Sequence, residues 1–294
     1  MKLSITANCW PMSRQQQQQQ IDKITTLPVE RVYMGETVCS QRDRLSPRQL
    51  AEICQYFAKQ GKQVVLSSLN LAASKRDLEL LQQLVSLPDV IIEANDMAAV
   101  SLAHKHGLPF IAGSGLNIYN GASLNWLLSL GMVGYQPPLE MPAATLQALM
   151  DQADQLGIRD QFELELLGWG YPLLAVSARC STARVHGRNR KQCLKVCQET
   201  GAEQADSLIN QPMFTINGTQ LHSAEPWDLL SQLQQLRHVG VQWLRICPKS
   251  LDNCEWLDAL AAAIAIEQHE FAAPLPGRGD FWSRGGIAEG LCAD

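Results

Sequence analysis

Cys180, Cys193 and Cys197 lie within "ARCSTARVHGRNRKQCLKVC" (178–197) at the spacing C-x12-C-x3-C. Thiolates are soft ligands. Three from one irregular segment, with one more from elsewhere, make a tetrahedral sulfur cage that suits zinc or an iron–sulfur cluster. Spacing alone does not separate the two. Cys193 and Cys197 stand at i and i+4, so on a helical turn both thiols point one way. Arg179, Arg184, Arg188, Arg190, Lys191 and Lys195 surround them. Nearby cations favour the thiolate that binds metal and offset the charge of a four-thiolate site. The plainer alternative is a solvated basic loop whose cysteines are simply buried.

Carboxylates supply a second set of candidates. Glu36, Glu93, Glu140, Glu163 and Glu165 fall near the ends of expected strands. Strand alternation puts Glu163 and Glu165 on one face, where they serve as acid and base or as partners in buried ion pairs. Arg179 and Arg245 offer guanidinium forks that match a substrate carboxylate. Asn117, Tyr119 and Asn120 are candidate hydrogen-bonding groups. Cys9, Cys54, Cys247, Cys254 and Cys292 read as plain buried or surface thiols.

These residues need a frame. Short apolar runs at 2–9, 31–35, 63–69, 90–95, 109–119, 133–140, 161–169 and 241–247 read as strands. Helical patterns lie between them. Ser46-Pro47 opens one that ends near Gly61, Ser74 caps another, and a third closes at Gly107. Others are expected at 121–130, 142–156, 226–238 and 252–268. Strand then helix, repeated about eight times, is the rhythm of a parallel α/β architecture. The count favours a (β/α)8 barrel, with its active site at the strand C-termini, over a doubly wound open sheet. No Gly-rich nucleotide loop follows the first strand. The expectation is one barrel-like domain over 1–294, with an irregular insertion at 170–225, after the seventh strand, that carries the cysteines. Within the insertion "MFTINGTQL" reads as a hairpin turning at Asn-Gly. The six glutamines of "RQQQQQQIDKI" read as a solvated helix face.

Composition sets the outer bounds. The chain has 294 residues, 46% hydrophobic and 18% charged, enough for a substantial core. A net charge of -5 argues against a nucleic-acid coat. No window approaches the roughly 18 to 20 apolar residues of a membrane span, and "MKLSITANCW" is no secretory signal. A cytoplasmic location is expected, where nine cysteines are thiols, metal ligands or catalytic groups rather than a disulfide frame. His104 and His106 stand two apart and make no H-E-x-x-H site. "AGSGLN" does not satisfy G-x-S-x-G around Ser114. There is no Walker loop.

"ELELLGWGYPLLAVSARCSTAR", followed by C-x3-C, resembles the signature region of the collagenase-like peptidase family. The matching positions are Glu165, Gly170, Ser177, Ala178, Arg179 and Cys180. The family's usual cysteine seven residues before Cys180 is absent, and Leu173 stands there. "VYMGETVCSQR" carries Cys39 and looks like the ubiquinone-biosynthesis branch called UbiV, in which an early cysteine replaces the missing one. "GKQVVLSSL", "IEANDMA", "PFIAGSGLNIYN", "LGIRDQFELE", "AAPLP" and the tail "FWSRGGIAEGL" extend the likeness over nearly the whole chain.

The resemblance implies a barrel-like fold and a [4Fe–4S] cluster held by Cys39, Cys180, Cys193 and Cys197. It implies an oxygen-independent hydroxylation of the aromatic ring of ubiquinone precursors, with prephenate as oxygen donor. It also implies a heterodimer with a sister subunit, UbiU, and work with a lipid-carrier-like accessory protein, UbiT. Other functions within reach of the wider family are RNA base hydroxylation, peptidase activity and a non-catalytic electron-transfer subunit. In a barrel, Glu36, Cys39, Asn95 and Glu140 share the rim of strand C-termini. An insertion folded over that rim would meet Cys39. Glu36, Glu140, Glu165 and Arg179 are the catalytic candidates.

Overall fold

Runs rich in Val, Ile and Leu form the strands of this computed structural model, which describes residues 1–284 except 7, 8, 276 and 278. The first seven are β1 (Lys2–Thr6), β2 (Arg31–Met34), β3 (Gln63–Ser67), β4 (Ile91–Ala94), β5 (Phe110–Ala112), β6 (Met132–Tyr135) and β7 (Glu163–Gly170). Then come β8 (Leu173–Val176), β9 (Glu203–Asp206), β10 (Pro212–Asn217), β11 (Gln220–Ser223), β12 (Trp227–Asp228) and β13 (Trp243–Cys247). β1 to β7 and β13 pair in parallel around a closed ring, because β7 bonds β6 on one side and β13 on the other, and β13 returns to β1. The closure establishes the barrel and rules out an open doubly wound sheet. β8, β11, β10 and β9 form a separate four-stranded antiparallel sheet in the stretch between β7 and β13.

The helices α1 (Arg14–Thr26), α2 (Pro47–Lys59), α3 (Lys75–Val85), α4 (Met97–Lys105), α5 (Gly121–Ser129) and α6 (Ala143–Gln155) follow the first six strands. Ser46 caps α2 in a capping box with Gln49, with Pro47 inside the first turn. The glutamine-rich α1 has its own box, Ser13 with Gln16. Its face is only partly solvated, since Gln17 and Gln20 are buried beside Ile21 and Ile24. Three expectations shift. The sixth strand, expected to run to 140, ends at Tyr135, before the two prolines Pro137 and Pro138. The fifth strand stops at Ala112, because a Cβ at Gly113 would stand 2.1 Å from Asn95 Oδ1 and the chain turns into a 3-10 segment ending in left-handed Asn117. The helix expected from 226 begins only at Leu233, because Trp227 and Asp228 pair with the end of β7.

Alternation along the strands divides two environments. Leu3, Ile5, Val32, Met34, Leu66, Ile92, Leu164, Leu244 and Ile246 join the apolar layer beneath the helices. The inward positions are largely polar. Glu165, 1% exposed, accepts from Ser4 Oγ (2.6 Å), Arg31 Nη1 (2.9 Å), Tyr33 OH (2.5 Å) and Arg245 Nε (2.9 Å). Arg31 also bonds Glu163, and Arg245 Nη1 bonds Glu93 at 2.5 Å. The guanidinium of Arg245 lies over the Tyr33 ring, 3.4 Å from its centroid, and that of Arg31 over Trp243 at 3.7 Å. Burial pushes the Glu165 carboxyl up, but Arg245 and Arg31 more than offset this and hold it below the usual carboxylate range.

Replacing Glu165 by Ala should leave two buried guanidinium groups short of a partner, at a cost of about 3–5 kcal/mol. Urea unfolding checks this. Because the folded pKa is lowered, the carboxylate's contribution is complete above the unfolded value of about 4.3 and is lost as pH falls through the folded one. The stability of Glu165→Ala should therefore fall less steeply with acid than that of the parent.

Candidate functional site

The loop after β2 is built around Glu36, whose Oε1 accepts the backbone N–H groups of Val38 (2.8 Å) and Cys39 (3.0 Å). This fixes the buried Cys39 thiol just beyond the strand end. Burial pushes the Glu36 carboxyl up, opposed by Arg42. Glu36 thus holds the Cys39 loop.

The β10–β11 hairpin lies across this loop. Asn217 pairs with Gln220 in the ladder, leaving Gly218 and Thr219 as the turn. Gly218 has φ +68°, and a Cβ there would stand 2.9 Å from Arg42 Nη2 and 3.1 Å from Val38 Cγ1, so both conformation and space require glycine. Thr219 Oγ1 donates to the Val38 carbonyl (2.8 Å), and Gln220 Nε2 to the Thr37 carbonyl (3.0 Å). Arg42 Nη2 donates to Asn217 Oδ1 at 2.6 Å. The hairpin also anchors the short helix α7 (Ser181–Val185), because the Ser181 N–H donates to the Gly218 carbonyl (2.8 Å).

This contact brings Cys39, Cys180, Cys193 and Cys197 onto one solvent-open pocket of about 360 Å³ that Arg42 and Arg190 also line. Cys193 and Cys197 do not share one helical turn. Leu194 and Lys195 have φ of 50° and 57°, and two consecutive left-handed residues break the helix. Cys193 follows a 3-10 turn, and Cys197 lies in α8 (Val196–Thr200). The thiols reach the same pocket from two short elements. Leu173 lines the barrel-mouth cavity and not this pocket.

Loop charges act as clamps. Arg190 Nη2 bonds both oxygens of Asp77 on α3 (3.1 and 3.2 Å), and Lys195 Nζ bonds Asp43 at 2.5 Å. Asp77 is fully buried and accepts from Ser40 Oγ at 2.5 Å, which ties the Cys39 loop to the Cys193 loop through one carboxylate. Burial pushes that carboxyl up, and the bonds from Ser40 and Ser74 with the Arg190 charge bring it below its ordinary value.

Whether the pocket suits an anionic metal centre is tested by Arg42. Its side chain is 4% exposed, and its Nε and Nη1 have no hydrogen-bond partner. A buried guanidinium with unmet donors is costly unless an acceptor comes to it. Arg42 stands against Cys197, whose thiol burial pushes up and Arg42 pulls down. A four-thiolate cluster would meet the orphaned donors, so the residues fit the group. Among the described residues no group of three or more His, Cys, Asp or Glu is arranged to hold a metal ion. The thiols border a pocket rather than converge on one point.

The other candidates fall elsewhere. Glu140 is exposed and accepts from Tyr119 OH at 2.7 Å. Arg179 is exposed. Asn120 caps α5, with its Oδ1 accepting from Ser123 N–H. Arg245 and Glu93 line a second cavity at the barrel mouth, with Asn95, Gln136, Cys9 and Cys247. Cys54 and Cys254 are free thiols, and Cys292 lies outside the described residues. Sequence reasoning missed Arg42, Asp77 and Asn217. Their only sequence signals are nearness to Cys39, a helix first turn and the Asn-Gly of the hairpin.

The model of Peptidase family U32 matches residues 16–253. The chain belongs to this family. The matched stretch includes residues 165–180, which run from the barrel interior at Glu165 to the thiol pocket at Cys180. Among solved structures, the U32 peptidase Mk0906 is 12% identical, with a TM-score of 0.42, over 85% of this chain and 93% of that one. Rv1207 of Mycobacterium tuberculosis is 8% identical, with a TM-score of 0.42, over 90% and 93%. A phospho-2-dehydro-3-deoxyheptonate aldolase of Thermotoga maritima is 10% identical, with a TM-score of 0.39, over 90% and 70%.

In this U32 chain the Asp77–Arg190 link should hold the Cys39 and Cys193 loops together. A double-mutant cycle of Asp77→Ala and Arg190→Ala, read by urea unfolding, should give a coupling of roughly 1.5–3 kcal/mol. The exposed Lys75–Glu79 pair, with an N···O distance of 3.8 Å, should give little.

Proposed function

We propose that this chain is the iron–sulfur subunit of an oxygen-independent hydroxylase acting on the aromatic ring of ubiquinone precursors, the role of the UbiV branch of the family. The observation that carries this reading is the meeting of Cys39 with Cys180, Cys193 and Cys197 on one pocket, beside the unmet donors of Arg42. The family's usual cysteine position is Leu173, which faces another cavity. The ligand set is complete only if the β2 loop supplies the fourth thiol.

The four cysteines would hold a [4Fe–4S] cluster. When bound, the cluster supplies one-electron redox chemistry. Arg42 and Arg190 balance its charge, and Asp77 and the hairpin position the loops.

The four catalytic candidates point toward shared catalysis. Glu36 is committed to a loop, Glu165 to four donors, and Glu140 and Arg179 stand on the surface. This favours a redox subunit that completes its chemistry with a partner. In this reading the partner is the sister subunit UbiU, prephenate is the oxygen donor, and UbiT carries the lipid precursor. The peptidase alternative has less support. Among the described residues no hydrogen bond joins a Ser, Thr or Cys side chain to a histidine ring. His222, brought down to about 4 by burial, is engaged by Tyr171 O and Gln220 Oε1.

The test is the quinone pool of a deletion strain grown without oxygen. Ubiquinone should be lost and an under-hydroxylated precursor should accumulate. The native gene should restore ubiquinone and Cys39→Ala should not. Unchanged ubiquinone in the deletion strain would overturn the proposal.

A further inference from the structure

A second pair of thiols stands at the barrel mouth. Cys247 ends β13, and Cys9 lies just beyond β1, the strand beside it. Their sulfurs are 3.9 Å apart. Both line the mouth cavity, about 580 Å³ including its open side, which shares no lining residue with the four-cysteine pocket. The pair is held in place from both sides. Trp10 Nε1 donates to the Pro248 carbonyl (2.9 Å), and Asn217 Nδ2 to the Cys9 carbonyl (2.6 Å). Tyr171 N–H donates to the Cys247 carbonyl (3.0 Å).

We propose that Cys9 and Cys247 form a redox-active dithiol at the barrel mouth that reacts with small-molecule disulfides. The inference does not depend on the metal pocket or on the quinone pathway. Closing the bond requires the sulfurs to approach from 3.9 Å to about 2.05 Å. The two thiols are not equivalent. The contact with Cys9, with Arg245 and Thr6 nearby, favours the Cys247 thiolate against its burial. The same contact and burial push the Cys9 thiol up. Cys247 is therefore the attacking sulfur.

With 2-hydroxyethyl disulfide, the Cys247 thiolate attacks one sulfur, forms a mixed disulfide and expels one mercaptoethanol thiolate, which takes up a proton. Cys9 then loses its proton and attacks the Cys247 sulfur, expelling the second mercaptoethanol. Two protein thiols are oxidised and one small disulfide is reduced.

The experiment treats the folded chain with 2-hydroxyethyl disulfide, quenches with acid, and digests with trypsin without reductant. Cleavage after Lys2, Arg14, Arg245 and Lys249 isolates Cys9 in fragment 3–14 and Cys247 in fragment 246–249. The expected product is these two fragments joined, with two hydrogens lost. Cys9→Ser should trap one mercaptoethanol on Cys247, and Cys247→Ser should leave Cys9 unmodified over the same time. The proposal is overturned if the joined fragments are absent, if they appear only after denaturant, or if Cys247 stays unmodified in Cys9→Ser while the half-buried Cys54 thiol reacts.

Discussion

The polar contact between the β10–β11 turn and the Cys39 loop is the constraint on which the site depends. Asn217, Thr219, Gln220 and Arg42 are all nearly inaccessible to solvent. Buried polar groups must be paired, and these pair mainly with one another and with the carbonyls of Thr37, Val38 and Cys9. An isolated hairpin is marginal in water. This one is held because its polar edge fits the barrel rim. Three thiols ride on the segment the hairpin organises, and the fourth rides on the rim. Without the contact they would be two unrelated sets.

The barrel interior uses the same logic with charge. Glu165 sits between Arg31 and Arg245, and each guanidinium is also covered by an aromatic ring. Such a network contributes less net stability than an apolar filling would, because every charge is desolvated. It does set which strands face each other, since Ser4, Arg31, Tyr33, Glu165 and Arg245 come from β1, β2, β7 and β13. The network reaches the mouth through Arg245 and Glu93, where the Cys9–Cys247 pair lies. The segment from Glu165 to Cys180 spans both the interior hub and the thiol pocket.

Much of the frame was legible because it follows local rules. The eight parallel strands and their capped helices show in period and punctuation, and so does the hairpin, although its turn residues are Gly218 and Thr219 rather than Asn217 and Gly218. The fifth strand was overlong, since sequence does not reveal the close approach of Gly113 to Asn95. The helix expected from 226 was overridden by tertiary pairing of Trp227 with β7. At the site, the three clustered cysteines were plain, and Cys39 emerged only through the likeness to related chains. Asp77 was invisible because its role is a contact between segments 113 residues apart. Glu165 was noticed for its charge, but whether a strand carboxylate is free or fully paired depends on the partners that closure brings.

The central claim is that Cys39 and the three insertion thiols hold one four-iron cluster. Iron, acid-labile sulfide and zinc measured on anaerobically purified protein test it most directly. The account predicts roughly four irons and four sulfides per chain, lost in Cys39→Ala as fully as in Cys180→Ala. Stoichiometric zinc without iron, or full iron retained by Cys39→Ala, would contradict it.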